Sequence, residues 1–270
     1  MKKSSIWLAV ILLLVVSLLA ACSGTKSSGA AGDGSLDRVK KAGKLLVAID
    51  AAYPPMEFVD ADGKTYIGFD IDYARALAKK LGVEAEFKAV DWDGILTGLE
   101  AKHYDVIISS MNITPEREAK FNFVEYVKMS QVFVSREGVD VKAEKDLAGK
   151  IIAVQAETTS HILVDELKAG KVKDIKEIRS FKTATDAFLE LKNKRADVIV
   201  IDEPVGRYYA KEDSKVMKIT GQAVAPEPVG MAIRKEDVDL KSALEKAVKD
   251  LKSKEYLDIS KKWFGGELGK

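Results

Sequence analysis

Two twelve-residue stretches, LTGLEAKHYDVI over residues 96–107 and FLELKNKRADVI over residues 188–199, carry one pattern at matching offsets. In each, an apolar pair (Leu96 and Leu99; Phe188 and Leu191) sits one helical turn apart, a basic polar turn follows, and Asp-Val-Ile opens a hydrophobic strand. The pattern is short, and two ordinary αβ units could share it by coincidence. Taken at face value it predicts two α/β lobes, each presenting the C-terminal end of a strand. Ligands of open α/β sheets bind just beyond such ends. One lobe offers Ser109-Ser110 there; the other offers Asp202, which closes VIVID at residues 198–202.

The surrounding chain fits this frame. Residues 44–50 (KLLVAID) read as a buried strand, and Tyr53-Pro54-Pro55 bars a helix after it. DADG at residues 60–63 is a turn between two short extended pieces. Asp70 reads as the N-cap of a helix over residues 71–81 that Gly82 ends. Residues 83–90 suit a strand, 92–102 a helix and 106–110 a buried strand. Strands alternating with helices predict an α/β fold with a largely parallel sheet.

Composition excludes several functions. The chain has 270 residues with 43 Lys+Arg against 42 Asp+Glu, so it lacks the basic footprint of a nucleic-acid binder. A single cysteine, Cys22, rules out an intrachain disulfide and a cysteine-rich zinc site. There is no HExxH or GxSxG; Gly63-Lys64-Thr65 lacks the earlier P-loop glycine, since Phe58 stands there; and DADG lacks the later acids of a calcium loop. His103 and His161 read as surface residues rather than catalysts. No metal or other cofactor is expected. The lysine-rich stretch at residues 241–263 alternates charge on a helical period and reads as a solvated face.

The first residues read as an address. Lys2 and Lys3 precede an apolar run over residues 6–21 that ends Leu19-Ala20-Ala21 before Cys22. The run is short for a membrane span of about 20 residues, and the order of basic, apolar and small residues is that of a secretory signal peptide. An uncleaved anchor helix is the alternative. Residues 23–35 (SGTKSSGAAGDGS) hold almost nothing to bury and read as a flexible tether.

The chemistry concentrates in SSMNITPER, residues 109–117. A buried strand ends, a polar loop follows, and Thr114-Pro115 opens a helix with N-cap and N1 residues in their preferred places. Such a helix start favours an anion, and Arg117 adds a fork of donors that matches a carboxylate. Hydroxyls of Ser109, Ser110 and Thr114 complete a polar cup; a solvated helix start is the bland alternative. Asp202 is either the N-cap of the next helix or a carboxylate set to receive an ammonium. An anion cup on one lobe and a carboxylate on the other describe a site for a zwitterion, of which an α-amino acid is the simplest. Tyr53 and Trp92, on loops after predicted strands, are candidates to sandwich its side chain or to pack in the core.

These residues, with Tyr53-Pro54-Pro55-Met56-Glu57-Phe58, Gly68-Phe69-Asp70-Ile71-Asp72, Trp92-Asp93, residues 155–159, Asp202-Glu203-Pro204 and Lys262-Trp263-Phe264-Gly265, resemble the polar amino-acid family of type II periplasmic binding proteins, as lipoproteins of bacterial ABC importers. The resemblance spans residues 36–270. It implies an α/β fold of two lobes with mixed, largely parallel sheets joined by two hinge strands near residues 124–130 and 221–229. Lobe I would comprise residues 36–126 and 225–270, and lobe II residues 127–224. Residues 1–21 would be a lipoprotein signal peptide, and residues 22–35 the lipidated Cys22 and its tether. By the same resemblance Arg117 and the backbone around Asn112 hold the ligand carboxylate. Asp202 holds its ammonium with help from Ser110, and Tyr53 and Trp92 line the side-chain pocket. Asp50 meets the distal group, and Thr158 and Thr159 touch the carboxylate on closure.

Two departures stand out. Glu157 replaces the glycine usual in the family's loop, and Tyr126-Val127-Lys128 replaces a common Pro-Tyr-Tyr at the first hinge. With Asp50 and Glu57, Glu157 makes the pocket region acidic and favours a polar or basic ligand side chain. The expected function is therefore capture of a free L-amino acid outside the cytoplasm, in the periplasm or on the outer face of the membrane. A non-enzymatic monomer held by lipid on Cys22 would deliver it to the permease. The rivals are a cyclohexadienyl dehydratase-like enzyme on the same scaffold, with Glu157 or Glu57 as general acid, and a ligand sensor for a membrane kinase.

Overall fold

The chain is described by a computed structural model covering residues 32–251 and 254–268. The signal segment, Cys22 and residues 23–31 of the tether lie outside the described residues. From the N-terminal side run α1 (Ser35–Ala42), β1 (Lys44–Ile49), the short strands β2 (Ala52–Tyr53), β3 (Glu57–Val59) and β4 (Tyr66–Ile67), then α2 (Phe69–Leu81) and β5 (Glu84–Ala89). A 3₁₀ turn (Trp92–Gly94) leads into α3 (Ile95–Glu100), β6 (Val106–Ile107), α4 (Pro115–Lys120) and the long strand β7 (Phe121–Arg136). The second lobe holds β8 (Ile151–Gln155), α5 (Thr159–Ala169), β9 (Glu177–Phe181), α6 (Ala184–Lys192), β10 (Val198–Asp202) and α7 (Glu203–Glu212). The chain returns through β11 (Met217–Arg234) to α8 (Val238–Leu251) and α9 (Lys254–Phe264).

One mixed sheet runs through both lobes in the order β5-β1-β6-β11-β7-β10-β8-β9. The outer strands of each half pair in parallel, as crossover helices require. The two long central strands pair antiparallel along their length, Arg234 opposite Phe121 and Met217 opposite Arg136, and so connect the halves twice. Their register slips between Ile219 and Gly221, Gln222 and Val224, Val224 and Glu227, and Val229 and Gly230. Such bulges bend a strand and increase its local twist, which suits a crossover between lobes.

The parallel strands are apolar on both faces because helices cover both. Leu45, Val47 and Ile49 of β1 face one core, while Ala48 faces another with Ile95, Leu99 and Ile107. In the second lobe Ile152, Val154, Val198 and Val200 pack with Leu147 and Val164, and their neighbours Ala153, Ile199 and Ile201 point to the opposite face. The period of two thus sorts these residues between layers.

Four local readings differ from the structure. Asp70 is not an N-cap: Gly68 is, at φ 136°, where a Cβ would stand 2.1 Å from the Met56 carbonyl oxygen. That close approach draws Asp70 inward, away from the helix end. The helix expected at residues 92–102 is divided, because its first turn is 3₁₀ and Lys102 takes a positive φ of 61° after it. The tether stops before residue 35. Asp33 accepts from Ser35 N at 2.7 Å and Asp239 N at 2.8 Å, and Ser35 is buried, so residues 33–35 belong to the folded body. Finally, the charged C-terminal stretch is solvated on one face only, since Leu244, Ala247, Val248, Leu251 and Tyr256 are buried.

Candidate functional site

Three strands deliver polar residues to the same place. β1 runs out at Asp50, β8 ends at Gln155 and β10 ends at Asp202, all buried. These C-terminal ends converge on a small cavity between the lobes, at the sheet edge where ligands of open α/β sheets bind. Asp50, Tyr53, Trp92, Ser109, Ser110, Asn112, Thr158, Thr159 and Asp202, all singled out in the sequence, line it. Glu57, Gln155 and Ser160 complete the wall. Gln155 was legible as the polar terminus of IIAVQ, by the same logic that singles out Asp202 in VIVID.

The lobes meet across this cavity. Gln155 Nε2 donates to Asp50 Oδ2 at 2.6 Å, Tyr53 OH to Asp202 Oδ2 at 2.8 Å, and Thr159 Oγ1 to Asn112 Oδ1 at 3.0 Å. At the mouth, Trp92 Nε1 and Arg117 Nη2 both donate to the Glu157 carbonyl, at 3.2 and 3.3 Å. The cleft is therefore closed, with hydrogen bonds from several elements of each lobe.

Asp202 occupies the N-cap position of α7, yet its side chain makes no capping bond; it reaches instead toward Tyr53. Burial pushes its carboxyl up to about 7, against the Tyr53 hydroxyl and with the Glu227 charge adding to the rise. Burial likewise pushes Asp50 up to about 6, opposed by the Gln155 amide and reinforced by Asp91. No lysine or arginine is among the residues lining the cavity. Two enclosed carboxyls, one from each lobe, thus have no lysine or arginine beside them in the wall, although the Arg117 charge reaches Asp202 from outside it. Asn112 Nδ2 is a buried donor with no acceptor.

Arg117 stands beside the cavity rather than in its wall. Its Nη1 donates to Asn112 O at 2.9 Å, and its guanidinium lies 5.5 Å from the Trp92 ring centroid. Burial lowers its pKa, opposed by the Asp202 charge, without approaching neutrality. The Thr114 hydroxyl does not join Ser109 and Ser110: it caps its own helix by accepting from Arg117 N at 3.3 Å and lines an outer groove. The helix start that does border the cavity is that of α5. Thr158 caps it by accepting from His161 N, and Thr158, Thr159 and Ser160 all line the wall. The first turn of a helix presents N–H groups without intrahelical partners and a partial positive charge.

Glu157 is held at φ 60°, a conformation that glycine adopts without strain. Its backbone carbonyl serves the cleft, while the residue lines the outer groove rather than the cavity. It therefore does not acidify the cavity wall as expected. His161, in the first turn of α5, holds this loop, its Nδ1 accepting from Glu157 N at 3.2 Å.

A family model described as bacterial extracellular solute-binding proteins, family 3, matches residues 45–266. The L-cystine-binding protein TcyJ of Escherichia coli (strain K12) is 32% identical over 263 residues, covering 96% of both chains. The arginine-binding extracellular protein ArtP of Bacillus subtilis (strain 168) is 30% identical, covering 99% of this chain and 100% of its own. Among solved structures, holo ArgBP from T. maritima superposes with a TM-score of 0.74 at 39% identity, covering 84% of this chain and 99% of that one. The ancestral amino acid-binding protein AncCDT-1, a precursor of cyclohexadienyl dehydratase, gives 0.77 at 37%, covering 85% and 99%.

Proposed function

We propose that this chain, which belongs to the family 3 bacterial extracellular solute-binding proteins, captures a free L-amino acid between its lobes and delivers it to the permease of an ABC importer. The observation that carries the reading is the pair of enclosed carboxyls, Asp50 and Asp202, on opposite sides of a cavity whose walls hold no lysine or arginine. Asp202 receives the α-ammonium. Asp50 receives a polar or basic distal group, with a basic one favoured because it neutralises a second buried charge. The α-carboxylate is met by Arg117, the free Asn112 amide and the start of α5 at Thr158 and Thr159. Ser109 and Ser110 supply hydroxyls, and Tyr53 and Trp92 flank the side chain.

Closure follows from differential contact. An amino acid that touches both lobes favours the closed population over the open one. Lobe I is assigned residues 36–126 and 225–270, and lobe II residues 127–224, the changes falling inside β7 and β11. The reading of residues 1–21 as a signal sequence, with Cys22 after it, supports a lipid anchor outside the cytoplasm, where the chain acts as a monomer. Fatty-acid labelling that Cys22→Ser abolishes checks that anchor. The dehydratase reading gains nothing from Glu157 as a general acid, since the residue lines the outer groove and only its backbone carbonyl serves the cleft.

Calorimetry of the mature chain against the twenty amino acids tests the function. At least one basic or polar amino acid binds with a Kd on the order of micromolar or tighter, as expected for about ten enclosed heavy atoms. Binding to none of them contradicts the proposal. Turnover of prephenate or arogenate would move the chain to the enzyme reading.

A further inference from the structure

Glu57 is the one acid in the cavity wall that the binding scheme leaves without a role. It is fully buried, and its Oε1 accepts from Ser109 Oγ at 2.7 Å. Its Oε2 is enclosed and has no donor facing it. A second fully buried carboxyl, Asp70, stands next to it. The backbones are tied by Asp70 N donating to Met56 O at 2.8 Å and Phe69 N to Pro55 O at 3.0 Å. A Cβ on Gly68 would lie 2.9 Å from Glu57 Cα, so only glycine permits this approach. Asp70 is well supplied with donors: Ser110 N at 2.8 Å, Ser110 Oγ at 3.1 Å, and Tyr126 OH at 2.8 Å.

Two ionised carboxylates in contact inside a protein repel strongly, and one proton between them turns repulsion into a hydrogen bond. An acceptor atom with no donor is satisfied when it becomes the donor. We propose that Glu57 is a positioning residue that holds a proton at neutral pH and donates it from Oε2 to Asp70, so that the acid pair grips the Ser109–Ser110 loop instead of the ligand. The loop needs such a grip. Ser110 is held at φ 50°, an unfavourable conformation for a residue with a side chain, and it lines the ligand cavity. Through Tyr126 on β7 the same pair also reaches the strand that crosses between the lobes.

The surroundings favour the neutral form of Glu57. The groups facing the pair are Asp50 beyond β1, Tyr53 on β2, Tyr73 on α2, Tyr126 on β7, Asp202 at the end of β10 and Tyr256 on α9, all acidic in character. Burial and then the Asp70 charge both hold the Glu57 carboxyl well above its ordinary value. Asp70 is raised to about 6 by burial, with the Tyr126, Glu57 and Ser110 hydrogen bonds opposing, and so ionises first. The inference rests on the proposed ligand site only in naming what the loop serves.

Infrared spectroscopy of the ligand-free chain reads the proton directly. At about pH 8.5, above the range in which Asp50, Asp70 and Asp202 titrate, the wild type shows the C=O stretch of a protonated carboxyl. Glu57→Gln removes the band, keeps a donor toward Asp70, and lowers amino-acid affinity by less than Asp70→Ala, which lowers it at least about tenfold. Absence of the band in the folded wild type overturns the proposal. So does a Glu57→Gln loss as large as that of Asp70→Ala, which would make Glu57 a charged ligand contact. If no amino acid binds at all, the binding reading fails while the band still decides the protonation. If Glu57→Gln does not fold, a wild-type band that persists at this pH and vanishes on unfolding supports the proposal.

Discussion

The two lobes solve the same structural problem with the same parts and then diverge at the other end of the strand. In lobe I, Asp105 precedes β6 and accepts from Leu46 N of β1 at 3.0 Å; in lobe II, Asp197 precedes β10 and accepts from Ile151 N of β8 at 2.9 Å. Each aspartate faces the last residue of a crossover strand, Arg234 of β11 at 4.0 Å and Arg136 of β7 at 2.7 Å. The repeated Asp-Val-Ile is therefore a clamp at the strand's start. At its C-terminal end the repetition stops: lobe I presents Ser109-Ser110, and lobe II presents Asp202. Shared chemistry at one edge of the sheet supports the fold, and divergent chemistry at the other edge lines the cavity.

The clamps also differ in burial, which predicts unequal costs. Arg234 is 4% exposed, pairs with Asp237 (5% exposed), and donates to the Leu99 and Tyr104 carbonyls. Arg234→Ala leaves buried Asp237 and Asp105 only the half-exposed Arg38 as a cation and should destabilise by about 3 kcal/mol in chemical denaturation. Arg136 is 29% exposed, and its removal should cost about 1 kcal/mol after solvent screening. Equal losses would break the contrast between the clamps.

At the functional edge the prediction reverses. Asp202→Asn should abolish amino-acid binding by at least about a hundredfold in calorimetry, as expected when a buried charge partner is lost. It should not lower stability. The folded-state pKa of Asp202 is raised to about 7, so the ligand-free wild type loses stability as pH climbs from about 4 to 7. The asparagine variant is spared that loss, and its thermal midpoint at neutral pH should match or exceed the wild type. A binding loss accompanied by unfolding would mean Asp202 is structural, like Asp197.

The same shift gives ligand affinity a pH dependence. An ammonium ligand needs ionised Asp202, so binding should weaken roughly ten- to thirtyfold from about pH 7.5 to 5.5, with proton release on binding at the lower pH. Titration in buffers of different ionisation enthalpy measures the protons. A pH-independent affinity with no proton release would remove Asp202 from the ligand. The smallest effect is at Glu157, whose φ of 60° costs about 1 kcal/mol for a residue with a side chain. Glu157→Gly should stabilise by about 0.5 kcal/mol, net of the greater unfolded-state entropy, and leave affinity within about twofold.

Sequence patterning exposed much of this. The offset repeat marked both αβ units, and polar residues after apolar runs marked the strand ends where Asp50, Ser109 and Asp202 now line one cavity. Contacts made by closure or by one close backbone approach were not legible. Arg117 gives two of its donors to carbonyls of Asn112 and Glu157, one from each lobe, which no local pattern encodes. Glu57 becomes a cavity residue because Gly68 lets α2 begin against it, drawing Asp70 away from the helix end. Thr114 is the cap its place before Pro115 predicts, and for that reason its hydroxyl does not join the cup.

The central claim is that lobe II reads the ammonium while elements of both lobes read the carboxylate of one small zwitterion. Its most direct test compares an amino acid that binds with its deaminated and decarboxylated analogues, titrated against the wild-type chain. Each analogue should bind at least about a hundredfold more weakly than the parent, because each leaves buried polar groups without their partner. An analogue that matches the parent's affinity would contradict the account.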